Sequence, residues 1–150
     1  MTILDEIIAR NRADVEAAKA ATDQGLRDEA AMALPPCRPF EAALRGAANT
    51  ALIAEVKRAS PAKGLLNDNV DPVEQARLYA ENGAAAISVL TERHYFRAEA
   101  EDLTCVKGAV SVPVLRKDFL FDPWQVGEAR AMGADAILLI ATVLESDALC

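Results

Sequence analysis

Twice in this chain a glycine separates a helix-like stretch from an apolar run in the same way. Asn82-Gly83-Ala84-Ala85-Ala86-Ile87 and Met132-Gly133-Ala134-Asp135-Ala136-Ile137 both read as helix stop, tight turn and buried strand. The runs that follow, residues 85–90 and 136–141, are almost continuously apolar rather than alternating. A strand written that way is covered on both faces, which is the condition of a parallel sheet. Parallel neighbours need a crossover, and a repeat of roughly 25 to 30 residues fits βαβ units that close right-handed.

The rest of the chain fits the same scheme from Thr50 onward. Residues 51–56 read as a first strand, followed by a loop through Asp71. Asp71-Pro72 is an N-cap followed by proline in the first helical turn, opening a helix to about Asn82. A helix over about 99–108, a strand over 112–115, a helix opened by Asp122-Pro123 and the strand 136–141 complete the pattern, and 144–150 begins another helix. That makes four strands. No Gly-x-Gly-x-x-Gly or Gly-x4-Gly-Lys-Ser/Thr follows the first strand, which argues against dinucleotide and nucleoside-triphosphate folds. The expected architecture is α/β, a TIM (β/α)8 barrel of which these residues supply about the first four β/α units. Ahead of it, residues 1–49 form a separate helical extension. Its helix over 3–20 places Ile3, Leu4, Ile7 and Ile8 at helical spacing and lies on a surface. Pro35, Pro36 and Pro39 interrupt it, and a short helix over 40–45 ends at Gly46.

Composition narrows the function. A net charge of −7 lacks the basic face that nucleic acid requires. No apolar run reaches the roughly 18 residues of a bilayer span, and the acidic start, Met1-Thr2-Ile3-Leu4-Asp5-Glu6, has no secretory pattern. The three cysteines, Cys37, Cys105 and Cys150, are widely spaced and odd in number, as expected of reduced cytoplasmic thiols. With His94 the only histidine, a histidine triad or multi-histidine metal site has no material here.

Chemistry in parallel α/β folds sits at the C-terminal ends of the strands. Two strands here end in charge. Glu55 and Lys57 lie two residues apart, so they leave the same face of the first strand. They are either an ion pair plugging the barrel or a carboxylate tuning a lysine that meets an anion or a carbonyl oxygen. Lys117, within Arg116-Lys117-Asp118, falls just past the strand 112–115. It is either a solvated turn residue or an ammonium walled by Phe119. Ser60-Pro61-Ala62-Lys63-Gly64 has the make-up of a loop that binds anions or closes over substrate. His94-Tyr95-Phe96 belongs to the same rim.

Together these segments resemble one family. Residues 54–64 are similar to the signature of indole-3-glycerol phosphate synthase. The similarity continues through Ile87-Ser88-Val89-Leu90-Thr91-Glu92, Tyr95-Phe96, the stretch 113–119, Asp122-Pro123-Trp124-Gln125 and the stretch 133–140. The resemblance implies a carboxy-lyase of tryptophan biosynthesis. The phosphorylated substrate, 1-(2-carboxyphenylamino)-1-deoxyribulose 5-phosphate, would become indole-3-glycerol phosphate by ring closure, decarboxylation and dehydration, without metal or cofactor. It implies Lys117 as general acid at the ribulose carbonyl oxygen, Glu55 as the group that positions it, and Lys57 near the phosphate and carboxylate. Ser60 would contact the anthranilate part, and Phe96, Phe119 and Leu138 would wall its ring. The N-terminal extension would cap the substrate-binding end. Ala98 and Glu99 depart from the family's usual glycine and small polar residue, and Trp124 replaces a tyrosine. The family's second catalytic carboxylate and most of its phosphate site would fall past Cys150, so these residues alone are expected to be inactive. Two other readings stand beside this one. One is a different phosphate-binding barrel, such as a phosphoribosyl isomerase. The other is a non-catalytic half-barrel that self-associates, or pairs with a C-terminal half, through an open sheet edge.

Overall fold

The structure is a computed structural model that describes residues 2–67 and 69–144. Three helices come first: α1 (Ile3–Ala21), α2 (Gln24–Ala33) and α3 (Phe40–Arg45). Strand β1 (Ile53–Val56) follows, then a two-residue antiparallel pair, β2 (Ala59–Ser60) with β3 (Gly64–Leu65). The chain continues as α4 (Pro72–Glu81), β4 (Ala86–Leu90), α5 (Asp102–Ala109), β5 (Val114–Leu120), α6 (Trp124–Ala131) and β6 (Ala136–Leu139). The four long strands form one parallel sheet in the order β1-β4-β5-β6. The strand–helix alternation and the four parallel strands are those expected from sequence, while the short β2–β3 pair falls in the stretch read as a loop. All but the first residue of the expected helix over 144–150 lies outside the described residues.

Both glycine stops behave as read. Gly83 and Gly133 take φ of 90° and 91°, a conformation in which a side chain is strained. Asp71 caps α4, its carboxylate accepting from the amides of Val73 at 2.8 Å and Glu74 at 3.1 Å. The core lies between the sheet and helices α4–α6. It is built from Ala54 and Val56, Ile87 and Val89, and Val114 on the strands, with Leu103 and Val106 from α5. Register puts Ala54 beside Ile87 and Val56 beside Val89. The alternate residues Ile53, Glu55 and Lys57 therefore face the other side.

Three elements differ from expectation. Strand β5 starts at Val114 and runs to Leu120, not from 112 to 115, so Lys117 lies within the strand rather than after it. The strand continues through charge because its helix-facing residues, Arg116 and Asp118, are buried in a closed polar network. Arg116 donates to Thr91 Oγ1 at 3.1 Å, Glu128 Oε2 at 2.8 Å and Asp118 Oδ2 at 3.2 Å, and the Thr91 hydroxyl donates to Asp118 at 2.5 Å. Helix α5 begins at Asp102 rather than near Glu99. Asp102 is buried, accepts from the Glu99 amide at 2.8 Å and forms a bidentate pair with Arg58 at the end of β1. Helix α2, with no counterpart in the sequence reading, is capped by Asp23 and packs on α6. There Arg27 stacks over the Trp124 ring at 4.9 Å, and a Cβ on Gly127 would come within 2.8 Å of its guanidinium.

The N-terminal segment fastens to both ends of the sheet. Helix α1 buries Ile7, Asn11 and Val15 along one stripe and meets the rim after the strands. There Lys19 pairs with Asp122 at 2.5 Å, Asp14 meets His94 at 2.6 Å and Arg12 lies over Phe121. At the opposite end, Asp135 gathers three partners on a fully buried carboxylate: the Arg38 amide at 2.6 Å, the Val114 amide at 2.8 Å and Lys107 Nζ at 2.5 Å.

Candidate active site

On the side of the sheet away from α4–α6, three charged residues meet. Glu55 projects from β1, Lys57 follows one residue past that strand's end and Lys117 comes from β5. The Glu55 carboxylate holds both lysines, accepting from Lys57 Nζ at 2.7 Å through Oε1 and from Lys117 Nζ at 3.2 Å through Oε2. Strand β4 lies between the two, with Glu55 level with Ser88 and Lys117 level with Leu90. Burial raises the pKa of Glu55. The hydrogen bond from Lys57 and the charge and hydrogen bond of Lys117 more than reverse this, holding the carboxyl below its ordinary value. The result is a fixed carboxylate that presents two ammonium groups side by side.

An apolar wall stands beside this cluster. Phe119 lies two residues beyond Lys117 on the same face of β5. The Phe96 ring, from the loop after β4, approaches it with centroids 6.1 Å apart and planes tilted by 44°. Leu138 is half-buried on β6, between Ile137, which packs into the core, and Leu139, which pairs with Leu120. Strand alternation turns it to the face that carries Leu115, Lys117 and Phe119.

Of the residues singled out from sequence, the structure brings Glu55, Lys57 and Lys117 into direct contact and sets Phe96 against Phe119. Ser60 lies at the tip of the β2–β3 pair, where its hydroxyl accepts from the Lys63 amide at 3.3 Å; it makes no hydrogen bond to the charged cluster. The Arg58 carbonyl takes the amides of Leu66 and Asn67, closing the base of that loop. Ala98 is buried and Glu99 exposed, the latter 4.0 Å from Arg58. The left-handed backbone in this loop falls on Arg97, with φ 56°, leaving Ala98 unstrained.

Glu92 was given no role by the sequence reading, yet its side chain is buried and accepts three backbone amides of the Phe96 loop. The available signal is a carboxylate two residues past a buried strand. A cavity of about 120 Å³ lies under α1, lined among others by Asn11, Thr91, Glu92, Arg116 and Gln125. It opens on the helix side of the sheet and does not reach the lysines. Among the described residues no group of three or more His, Cys, Asp or Glu is placed to hold a metal ion, and no helix is long and apolar enough to cross a membrane.

The family model for indole-3-glycerol phosphate synthase matches residues 4–150. A relative of that name from Rhodococcus jostii is 51% identical over 149 residues, covering 99% of this chain and 55% of its own length. The one from Roseiflexus sp. is 46% identical over 154 residues, covering 99% of this chain and 57% of its own. The chain thus spans about half the length of the curated relatives it matches, and its open parallel sheet is part of a barrel. With four parallel strands among the described residues and a match over nearly its whole length, the chain belongs to the indole-3-glycerol phosphate synthase family.

Proposed function

We propose that this chain carries the acid side of an indole-3-glycerol phosphate synthase active site, acting on the phosphorylated 1-(2-carboxyphenylamino)-1-deoxyribulose. The observation that carries this reading is the Glu55 bridge between Lys57 and Lys117. Ring closure needs a proton delivered to the ribulose carbonyl oxygen as the new carbon–carbon bond forms. Lys117 is the donor, because a charged ammonium beside an aromatic wall favours the developing hydroxyl. Glu55 accepts from the lysines and fixes their direction. Lys57, two residues along the same face, holds the substrate's phosphate or carboxylate. Phe96, Phe119 and Leu138 line the anthranilate ring, and Ser60 meets its polar edge. Residues 1–49 act as an extension over the rim, supported by the α1 contacts to His94, Phe121 and Asp122. The site of action is the cytoplasm. Exposed Ile53 and Leu139, on the two outer strands of the sheet, support pairing with a further set of strands.

The test supplies the rest of the barrel. Residues 1–150 are fused in frame to the residues that follow the matched stretch in the Rhodococcus jostii relative. The fusion is placed in a bacterium that lacks this enzyme and requires tryptophan. Growth without tryptophan is expected, with indole fluorescence appearing when substrate is added to the purified fusion. Lys117→Ala in the fusion is expected to lower kcat by about 10²- to 10⁴-fold, the range of a lost general acid. Full turnover by that variant would remove Lys117 from the mechanism, and a folded fusion with no turnover would count against the family's activity for this chain.

A further inference from the structure

We propose that Glu92 is a positioning residue that sets Phe96 in the aromatic wall; the assignment of a substrate ring to that wall rests on the function proposed above. Glu92 stands two residues past the end of β4 and is 2% exposed. A buried carboxylate needs partners, and here they are backbone. Oε1 accepts from the His94 amide at 3.0 Å, and Oε2 accepts from Tyr95 at 2.7 Å and Phe96 at 3.0 Å. The Glu92 carbonyl accepts from Ala98 at 3.1 Å, closing the same loop on the same residue.

Three successive amides turned onto one carboxylate form an anion-binding nest whose anion is built into the chain. The last of them belongs to Phe96, so the peptide that carries the ring is held by the carboxylate itself. The ring then meets Phe119, which shares its strand face with Lys117. The loop gets no such hold from regular structure, since residues 91–98 belong to neither helix nor strand. Glu92 touches none of the charged cluster. Its effect reaches the site through the placement of one ring.

The experiment has two arms. In the isotope-labelled chain, amide exchange is followed at His94, Tyr95 and Phe96, together with the nuclear Overhauser contact between the two phenylalanine rings. Glu92→Ala is expected to lose protection at the three amides and the ring contact while Ile87 and Val114 stay protected. Added formate, which fits the vacated nest, should restore both. Glu92→Gln keeps the shape with one acceptor oxygen, so protection at part of the set should persist; it serves in place of the alanine variant should that variant not fold.

In the fusion described above, Glu92→Ala is expected to raise KM about tenfold with kcat little changed, the loss of one aromatic contact made equally in ground and transition states. Formate should bring KM back. Phe96→Ala should show the same KM rise without any formate response. Unchanged exchange in the Glu92 variants, or a KM rise that formate does not touch, would overturn the proposal. If the parent fusion fails to turn over, the enzymatic reading falls while the exchange arm still decides whether Glu92 places Phe96.

Discussion

At the scale of single residues, Glu55 is the centre of the site. One carboxylate holds two ammonium groups. Each oxygen has its own lysine, and the side chains of Glu55, Lys57 and Lys117 remain 30%, 30% and 33% exposed, open to a ligand from the same side. Its depressed pKa has a consequence for stability. The folded chain holds the carboxyl below the ordinary value of 4.5, so ionised Glu55 contributes stability above that value. The contribution is lost as pH falls from there through the folded pKa. Urea midpoints measured from about pH 7 down to about pH 3 should therefore drop less steeply in Glu55→Gln than in the parent chain. Asp5 and Asp122, also held below their ordinary values, keep part of the acid dependence in place. An identical slope in the two proteins would mean that the lysines do not act on Glu55 in solution. The Glu55–Lys57 pair was legible in sequence because two residues apart on a strand means the same face, while Lys117 was flagged only by the charge at a strand end and its contact with Glu55 was not foreseen. Glu92 was not legible, because nothing in the sequence says where the amides of an irregular loop point.

At the scale of elements, the existence of the four parallel strands and the Asp71 cap were readable, whereas α6 opens at Trp124 with Pro123 rather than Asp122 in the cap position, and the tertiary supports were not legible. Asp71-Pro72 and the glycines at 83 and 133 act through local backbone geometry, which a sequence displays directly. Helix α2 depends on α6 for a surface to pack on, and the sequence shows only Asp23 at its start. The true length of β5 was hidden for a related reason. Arg116 and Asp118 look like a charged turn until Thr91, from the neighbouring chain segment, and Glu128, from α6, supply their partners. Asp135 makes the same point at the other end of the sheet. It ties the extension, α5 and the first residue of β5 together through Arg38, Lys107 and Val114. Asp135→Ala strands a partly buried lysine and two amides at once. A loss of about 3 to 5 kcal/mol is expected, the range for breaking one side of a buried pair. Urea denaturation of the variant measures it, and a loss of under about 1 kcal/mol, the worth of an exposed pair, would show that the junction is not a support.

At the scale of the molecule, the described residues form a parallel sheet of four strands with helices on one face and the candidate site on the other. Water reaches the lysines from the open side. Proton transfer to a carbonyl oxygen depends on a site that excludes it. The 150-residue chain alone is therefore expected to give no turnover when mixed with substrate, read as the absence of an indole fluorescence rise. Turnover comparable to the fusion would mean that four strands suffice or that copies complete one another, and sedimentation would separate those cases. The fold class was legible because parallel sheets leave a compositional mark in their strands, and the candidate site was sought at the strand ends because such sheets place chemistry there.

Strand β5 carries its two duties on opposite faces. Arg116 and Asp118 knit the sheet to the helices, while Lys117 and Phe119 face the site. Neighbouring positions thus answer to separate demands, the even ones to folding and the odd ones to chemistry. Under the proposed function, Lys117 or Phe119 can be exchanged without disturbing the Arg116–Asp118 network, and that network can vary without touching the candidate site. A segment of seven residues divided in this way is a ready place for a barrel to acquire a new substrate.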